Sequence, residues 1–357
     1  MKDWDRITAD DYIGTTFVEI SNISSSGEHG FLPTFGPCFV NFYGSPREFS
    51  ELPDEYEDLN KGKGEGVAFR GRALVELKTI GGELPEVPVD DIGSEDVLKI
   101  QKFMRKRKYK LHAAFFNATM VSAIDAPVEF EVSQGNYGNK MDDYIAPCAS
   151  STQPTNAVFD GSNYYFLPWG GTKPCVDVET HWEDVSWRLE TLNLFEGIIA
   201  ALEENIEEVR LLISALDQLV EDTKKPLPKP QTGTHLATEL DNLLSEYRLI
   251  ELESLREMAT NLRENATDVS EALSEAENFI QILKNIAVEP QNSMPDVIIW
   301  MISGEKRIAY FRIPAHTLLY SKNPLYCSRN CGKMQSIQLQ YPGSKGEKDV
   351  EYMLENH

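Results

Sequence analysis

The strongest constraint on the fold is a change of hydrophobic period in the middle of the chain. Between residues 180 and 289, apolar residues recur at alternating spacings of three and four, which is typical of helices with one buried face. The segments before and after carry short alternating runs bounded by Gly, Pro and Asn, which indicate strands. The sequence therefore predicts a helical segment placed between two β-rich segments.

The helical segment predicts several packed helices rather than one rod. The first apolar stripe covers residues 185–220, and at 1.5 Å per residue it would reach about 54 Å. That is long for one globular helix, so a break is expected near 203–206 or 213–215. Two further stripes, at 236–262 and 269–283, follow a proline-rich turn. Stripes joined by short turns favour an antiparallel bundle.

Two local signals refine these boundaries. Thr180 and Glu183 have the spacing of a capping box, which predicts that the first helix begins there. A short helix capped by Ser94 is expected over residues 94–103.

Strand-like runs flank the helices in equal number. Four precede them and four follow, at residues 109–116, 128–132, 163–167, 175–178, 297–302, 307–313, 317–320 and 335–341. Neither set can bury both of its faces alone, and together they supply the number of strands that one sandwich needs. We therefore predict an α+β fold in which one antiparallel β-sandwich carries the helical bundle as an insertion.

The first 80 residues predict an incomplete β-domain. Their strand-like runs lie at residues 16–20, 37–43 and 67–80. Three strands cannot close a sandwich, so we expect the opening strands to lie outside this chain. The predicted organisation is 1–80 for this partial sandwich, 81–103 for a linker, 104–179 and 290–342 for the two halves of the second sandwich, 180–289 for the bundle and 343–357 for a frayed polar tail.

Charge and cysteine content exclude some classes of function. The formal net charge of −23 repels nucleic-acid phosphate, so no nucleic-acid partner is expected. Anionic lipid would be repelled too, unless a cation such as calcium bridges the carboxylates and the lipid phosphates. Five scattered cysteines indicate a reducing compartment. Cys327 and Cys331 are spaced like half of a zinc site, but no second pair accompanies them.

Three acidic residues near the start have a spacing that suits calcium. Asp3, Asp5 and Asp11 follow the pattern D-x-D-x5-D and lead into a predicted strand. Calcium takes six to eight oxygen ligands, so three carboxylates form at most an incomplete half-site, and weak calcium affinity is expected. The alternative interpretation is an acidic surface loop.

A basic run is unusual in so acidic a chain. Arg105, Lys106, Arg107 and Lys108 are consecutive, and they could contact phosphoinositide headgroups. The alternative, which we favour, is a strand edge or a helix end whose bases pair with nearby acids. The sequence lacks G-x-S-x-G, Walker A, H-E-x-x-H and C-x-x-C motifs, so we predict that the protein is not an enzyme.

Longer motifs extend along nearly the whole chain and resemble one family. They lie at residues 3–15, 31–37, 43–48, 62–72, 130–139, 157–161, 165–169, 289–296, 299–301 and 313–316. The first of these is similar to the third calcium-binding loop of a C2 domain. The others, including Phe-Glu-Val-Ser-Gln-Gly-Asn-Tyr-Gly-Asn at 130–139, resemble the dysferlin and myoferlin branch of the ferlin family, from its third C2 domain through the FerA and FerB regions.

The resemblance implies a specific biology. Ferlins are modular proteins with several C2 domains and a C-terminal transmembrane anchor, so we expect a piece of a larger protein on the cytoplasmic side of vesicle or plasma membranes. The implied activity is calcium-dependent phospholipid binding in vesicle fusion, trafficking and membrane repair. FerA in the family is a four-helix bundle associated with membranes. The implied partners are a phospholipid membrane, bound peripherally, and neighbouring C2 domains. The alternative is a scaffold that spaces those domains without binding lipid.

Overall fold

The computed structural model combines helices with antiparallel strands, which confirms the predicted α+β class. It describes residues 13–27, 30–46, 66–83, 93–121, 126–139, 142–143, 149–150, 156–160, 163–169, 171–206, 211–230, 236–304, 306–340 and 352–354. The helices are α1 (Ser94–Phe103), α2 (Ser186–Ile206), α3 (Leu212–Asp222), α4 (Glu239–Asn265) and α5 (Val269–Ile286). Among the described residues, no helix is both long and apolar enough to cross a bilayer.

The strands are distributed on both sides of the long helices. Those before them are β1 (Thr34–Gly44), β2 (Ala68–Lys78), β3 (Lys106–Ala114), β4 (Asn117–Val121), β5 (Val128–Gln134), β6 (Ala149–Ser150), β7 (Asn156–Phe159), β8 (Asn163–Pro168) and β9 (Cys175–Glu183). Those after them are β10 (Val297–Ser303), β11 (Lys306–Ile313), β12 (Ile337–Leu339) and β13 (Tyr352–Leu354). Every strand pairing in the described residues is antiparallel.

The helices α2 to α5 pack around one apolar core. Helix α2 contacts α3 and α5, and α4 contacts the same two helices on the other side. Fully buried side chains from all four meet there, including Phe195, Leu216, Leu255, Phe279 and Leu283. Helix α2 ends at Ile206 and α3 begins at Leu212, close to the first break that the sequence predicts.

Strands from the two flanks of the helices form common sheets. A four-stranded sheet has the order β11-β10-β5-β6, and a five-stranded sheet has the order β12-β13-β4-β8-β7. In the first, Val297 of β10 pairs with Gln134 of β5 and Ser303 pairs with Val128, so the chain returns to its earlier strands after the helices. Both sheets and the two-stranded β3–β9 ribbon bury side chains in one apolar core, which contains Phe115, Val121, Phe130, Leu167, Val178, Met301 and Leu339.

Several local predictions are wrong for identifiable reasons. Residues 16–20 and 317–320 do not form strands, because the chain turns into short 3₁₀ segments at Ile20–Asn22 and Ala315–Leu318. The tail contributes β13, which pairs with β12 and β4 through its backbone. Strands β4, β6 and β7 were not predicted, because runs of two to five residues are too short to give a clear alternation.

The predicted start of the first bundle helix is also wrong. Thr180 and Glu183 lie in β9, where buried and exposed residues alternate and the strand pairs with β3. The Thr180 hydroxyl donates a hydrogen bond to Gln134 Oε1 at 3.0 Å instead of capping a helix. The helix begins at Ser186, whose backbone N–H donates to Asp184 Oδ1 at 3.3 Å. Likewise α1 begins at Ser94 itself, with Gly93 in the N-cap position.

Candidate functional site

The predicted calcium ligands cannot be placed. Asp3, Asp5 and Asp11 lie outside the described residues. Within the described part of the chain, no group of three or more His, Cys, Asp or Glu side chains is close enough to hold a metal ion. The calcium half-site therefore stays a prediction.

The basic run lies at an exposed corner between α1 and the ribbon. Arg105 connects α1 to β3, and Lys106, Arg107 and Lys108 are the first residues of β3, all four being exposed. Arg107 contacts Asp184 at 3.2 Å and Lys108 contacts Glu179 at 2.6 Å, so half of the run has an acidic partner. Within the described residues, neither Arg105 nor Lys106 forms an ion pair. These two cations are available to an external anion.

Helix α1 adds an apolar stripe directly before this run. Val97, Ile100 and Met104 share one helical face because their spacings are three and four residues. Their exposed fractions are 52%, 45% and 72%, which is unusual for side chains of this kind on one face. Sequence reasoning missed the stripe, because its spacing is also that of a buried helix face and only the packing reveals that it points outward.

A single aromatic side chain holds α1 on the body of the protein. Phe103, on a different face from the stripe, is buried with Val185, Trp187 and Leu236. Its ring packs edge-on against Phe39 of β1, with the centroids 5.5 Å apart. The anchor turns the apolar stripe toward solvent and places its C-terminal end beside the cations.

The chemistry of this corner suits a negatively charged, amphipathic surface. We call it the α1–β3 surface and define it by Val97, Ile100, Met104, Arg105, Lys106, Arg107 and Lys108. Apolar side chains of one helical face can enter the boundary between headgroups and acyl chains. The adjacent Lys and Arg side chains are attracted by anionic headgroups.

A second constellation is buried where the β1–β2 hairpin, the helices and the segment before β10 meet. Arg188 of α2 donates to Asp241 through Nε at 2.8 Å and Nη2 at 2.7 Å. Its Nη1 donates to the backbone oxygen of Gln291 at 3.0 Å, and Nη2 also reaches the oxygen of Leu236. The Arg188 side chain is only 2% exposed, so its charge depends on these partners.

The side chain of Gln291 connects this pair to the hairpin. Its Oε1 accepts the backbone N–H of Gly36 at 2.8 Å, and its Nε2 donates to the Thr238 hydroxyl at 2.8 Å. Gly36 has a φ of +77°, and a Cβ there would lie 2.2 Å from the oxygen of Val75, so only glycine suits this position. We call Arg188, Asp241, Gln291, Thr238 and Cys38 the buried junction.

Cys38 shares this environment. Its thiol is buried and donates weakly to the Gln291 backbone oxygen at 3.4 Å. Burial raises the pKa of Cys38 to about 11, although the nearby Arg188 guanidinium opposes the shift. The thiol is therefore neutral at physiological pH and acts as a packing and hydrogen-bonding group rather than a nucleophile.

Further contacts hold the hairpin along its length. Arg72 of β2 forms a bidentate pair with Glu183, at 2.6 and 2.7 Å, and its guanidinium lies 3.9 Å from the ring centre of Phe39. The Tyr43 hydroxyl accepts the backbone N–H of Asp296 at 3.1 Å. The described part of residues 1–80 thus packs on the helices and on the four-stranded sheet. The predicted domain boundary at residue 80 stays a prediction.

Comparison with known families and proteins gives concordant matches. The FerA (NUC095) domain model matches residues 199–263, and the FerB (NUC096) domain model matches residues 290–355. Myoferlin of Xenopus tropicalis is 44% identical over 380 residues, that of Mus musculus 45% over 369 residues, and that of Homo sapiens 44% over 382 residues.

Each of these matches covers 96% of the chain, whereas the chain spans only about a fifth of the relatives' own length, 18–20%. The FerA match begins within α2 and includes α3 and most of α4, and the FerB match includes strands β10 to β13. The long motifs, the two domain matches and the identity along the chain agree, and the chain belongs to the ferlin family.

Proposed function

We propose that this part of a ferlin attaches peripherally to anionic phospholipid membranes through the α1–β3 surface. The observation that carries the proposal is the outward-facing stripe of Val97, Ile100 and Met104, which ends beside Arg105 and Lys106. An apolar stripe contributes to binding in proportion to the area that it buries, and each nearby cation adds electrostatic attraction. In the parent protein this attachment serves calcium-dependent vesicle fusion, trafficking and membrane repair, without enzymatic activity.

Calcium has a separate role in this proposal. Asp3, Asp5 and Asp11 supply part of a C2-type calcium loop, and ligands outside this chain complete it. The bound calcium offsets the negative charge of the chain and shares its coordination with lipid phosphates. Two kinds of contact then act together, one that depends on calcium and one, at the α1–β3 surface, that does not.

The proposed architecture follows the family. The sheets that join strands from both sides of the helices form a C2-like sandwich, and α2 to α5 form a four-helix FerA bundle inserted into it. The pairing of β5 with β10 supports this arrangement, as does the common core of the four helices. We place the module on the cytoplasmic side of the membrane, next to other C2 domains, in a protein anchored by a C-terminal transmembrane helix.

Vesicle co-sedimentation tests the proposal. The chain is mixed with phosphatidylcholine vesicles, or with vesicles that also contain phosphatidylserine and a phosphoinositide, each with calcium and with a chelator. We expect binding to the anionic vesicles in the chelator, unchanged or stronger with calcium, and little binding to the neutral vesicles. Equal and negligible binding under all four conditions would contradict direct attachment by this part of the protein.

A scaffold without lipid contact is the second candidate function. The buried junction and the Arg72–Glu183 pair favour it, because together they hold the hairpin, the helices and the sheet in one arrangement, as a rigid spacer between C2 domains requires. Pull-down with the neighbouring C2 domains separates the two functions. Capture of those domains together with absence of vesicle binding would favour the scaffold.

A further inference from the structure

A long loop after β11 is held against the helices. Residues 319–336 form neither helix nor strand. The Ser321 hydroxyl donates to Glu190 of α2 at 2.8 Å, and Asn193 of α2 donates to the backbone oxygen of Tyr326 at 3.2 Å. The Tyr326 hydroxyl donates to the backbone oxygen of Pro226, beyond the end of α3, at 2.9 Å. We call this segment the docking loop.

Two cysteines share one turn of the docking loop. Cys327 and Cys331 are both half-buried and lie four residues apart in one turning segment. Burial raises the pKa of the Cys331 thiol, and the neighbouring Cys327 raises it further. The thiol sulfur of Cys327 also lies 3.9 Å from the backbone oxygen of Leu319. A hydrogen bond from the Cys331 N–H to the oxygen of Ser328, at 3.3 Å, closes the turn between the two cysteines. This backbone contact keeps the two residues in one turn.

The other described cysteines lack this arrangement. Cys38 is buried in the junction, and Cys175 is exposed in β9 with its thiol 3.6 Å from the oxygen of Lys173. No third metal-ligating side chain joins Cys327 and Cys331 among the described residues, so this part of the chain offers no zinc site around them. A pair of adjacent thiols is instead suited to thiol–disulfide exchange.

We propose that Cys327 and Cys331 form a reversible intramolecular disulfide by exchange with a low-molecular-weight disulfide such as oxidised glutathione. The Cys327 thiolate attacks one sulfur of glutathione disulfide, which gives a mixed disulfide and releases one glutathione. The Cys331 sulfur then attacks the Cys327 sulfur and releases the second glutathione. Two cysteine thiols are oxidised and one disulfide is reduced, and the two protons of the cysteines end on the two released glutathiones.

The position of the pair gives the bond a structural consequence. Ser328 and Arg329 lie between the two cysteines. The Ser328 N–H donates to the oxygen of Leu319 at 3.1 Å, and its hydroxyl contacts the oxygen of Thr317. Arg329 forms an ion pair with Glu204 near the end of α2. A disulfide would close a small ring around these contacts and hold the docking loop more firmly on the helices.

Peptide mass spectrometry on the full chain tests the proposal. The protein is equilibrated with reduced and oxidised glutathione at several ratios, quenched with acid, alkylated and digested. We expect the peptide with Cys327 and Cys331 to lose two hydrogens and escape alkylation, while Cys175 carries glutathione or the alkyl group. Persistent glutathione adducts on Cys327 or Cys331 would overturn the proposal, as would full alkylation of both where Cys175 has reacted.

Single variants separate the two steps. In Cys331→Ser the mixed disulfide at Cys327 cannot be resolved, so this variant should accumulate one glutathione there that the wild type does not retain. Cys175→Ser is the matched control and should form the internal disulfide like the wild type. Hydrogen exchange at the amides of Cys331 and Lys333 should slow several-fold on oxidation. Unchanged exchange would overturn the proposed effect on the docking loop.

Discussion

The buried junction and the α1–β3 surface use similar residues for opposite purposes. In the junction, Arg188 is enclosed, and its guanidinium donates to Asp241, to the backbone oxygens of Gln291 and Leu236, and to the Cys38 sulfur. At the surface, Arg105 and Lys106 are exposed and have no carboxylate partner among the described residues, and they adjoin apolar side chains that are exposed as well.

The difference separates assembly from recognition. A buried, fully paired charge is costly to disturb and therefore specifies one arrangement of hairpin, helices and sheet. Exposed cations beside an exposed apolar stripe contribute little to folding, because water and ions surround them. Changes at the junction should therefore reduce stability and leave the surface chemistry intact, whereas changes at the surface should reduce binding and leave stability intact.

The largest expected effect is on folding, at Arg188. Arg188→Met leaves the Asp241 carboxylate buried without its main partner and removes a donor from the Gln291 oxygen. The free energy of unfolding should fall by about 3–5 kcal/mol, as measured by denaturant titration. In Arg263→Met, which breaks the partly exposed pair with Asp217, the loss should stay within about 1 kcal/mol. Equal losses in both variants would contradict the special role of the junction.

The second effect depends on pH and comes from Cys38. The unfolded thiol ionises near its usual pKa of 9.0, whereas the folded thiol has a pKa of about 11. Between these pKa values the unfolded state binds fewer protons than the folded state, so the free energy of unfolding falls as pH rises. The contribution of the Cys38 thiol to stability is fully present below pH 9. Between pH 9 and pH 11 the ionisation of this thiol should lower the free energy of unfolding by roughly 2–3 kcal/mol.

Comparison of variants isolates that contribution. Denaturant titrations of wild type and Cys38→Ala at about pH 8.5 and about pH 10.5 should give a shallower decline for the variant, because it lacks the titrating thiol. Cys175→Ala, at an exposed position, is the control and should decline like the wild type. A Cys38→Ala protein that declines as steeply as wild type would contradict the assignment.

The third effect concerns membrane binding by the basic run. Arg105→Gln with Lys106→Gln should weaken binding to anionic vesicles by about 2 kcal/mol, since each cation near such a surface contributes about 1 kcal/mol. The remaining affinity should depend less on salt concentration. Lys224→Gln with Lys229→Gln, exposed positions near the end of α3, is the charge-matched control. If the control weakened vesicle binding as much, net charge rather than this surface would govern attachment.

The smallest effect comes from one apolar side chain. Ile100→Gln on α1 should weaken vesicle binding about tenfold, which corresponds to roughly 1.4 kcal/mol of lost apolar burial in the bilayer. The same substitution at Ile213, an exposed apolar residue of α3, is the control. Thermal unfolding should be unchanged in both, because neither side chain is buried. Equal binding by the Ile100 variant and wild type would show that the stripe does not enter the membrane.

Much of the secondary structure could be predicted from the sequence. The apolar stripes anticipated α2, α3, α4 and α5, including the interruption after Ile206, and the strand-like runs anticipated β1, β2, β3, β5 and β8 to β12. The failures are informative. Thr180 and Glu183 have the spacing of a cap, but the alternating burial of β9 outweighs that local signal, because Thr180 and Trp182 fit a packed sheet face.

The buried junction and the α1–β3 surface also depend partly on the sequence and partly on the tertiary structure. The sequence alone determined the chemistry that is available: the hydrophobic periods, the acidic balance, the basic run at 105–108 and the family motifs. It could not determine which side chains face inward, because Arg188 and Arg105 are equivalent until their surroundings are known. The tertiary structure decided that, since it brings Gly36, Arg188, Asp241 and Gln291 together from distant positions while the Phe103 anchor leaves the α1 stripe facing outward.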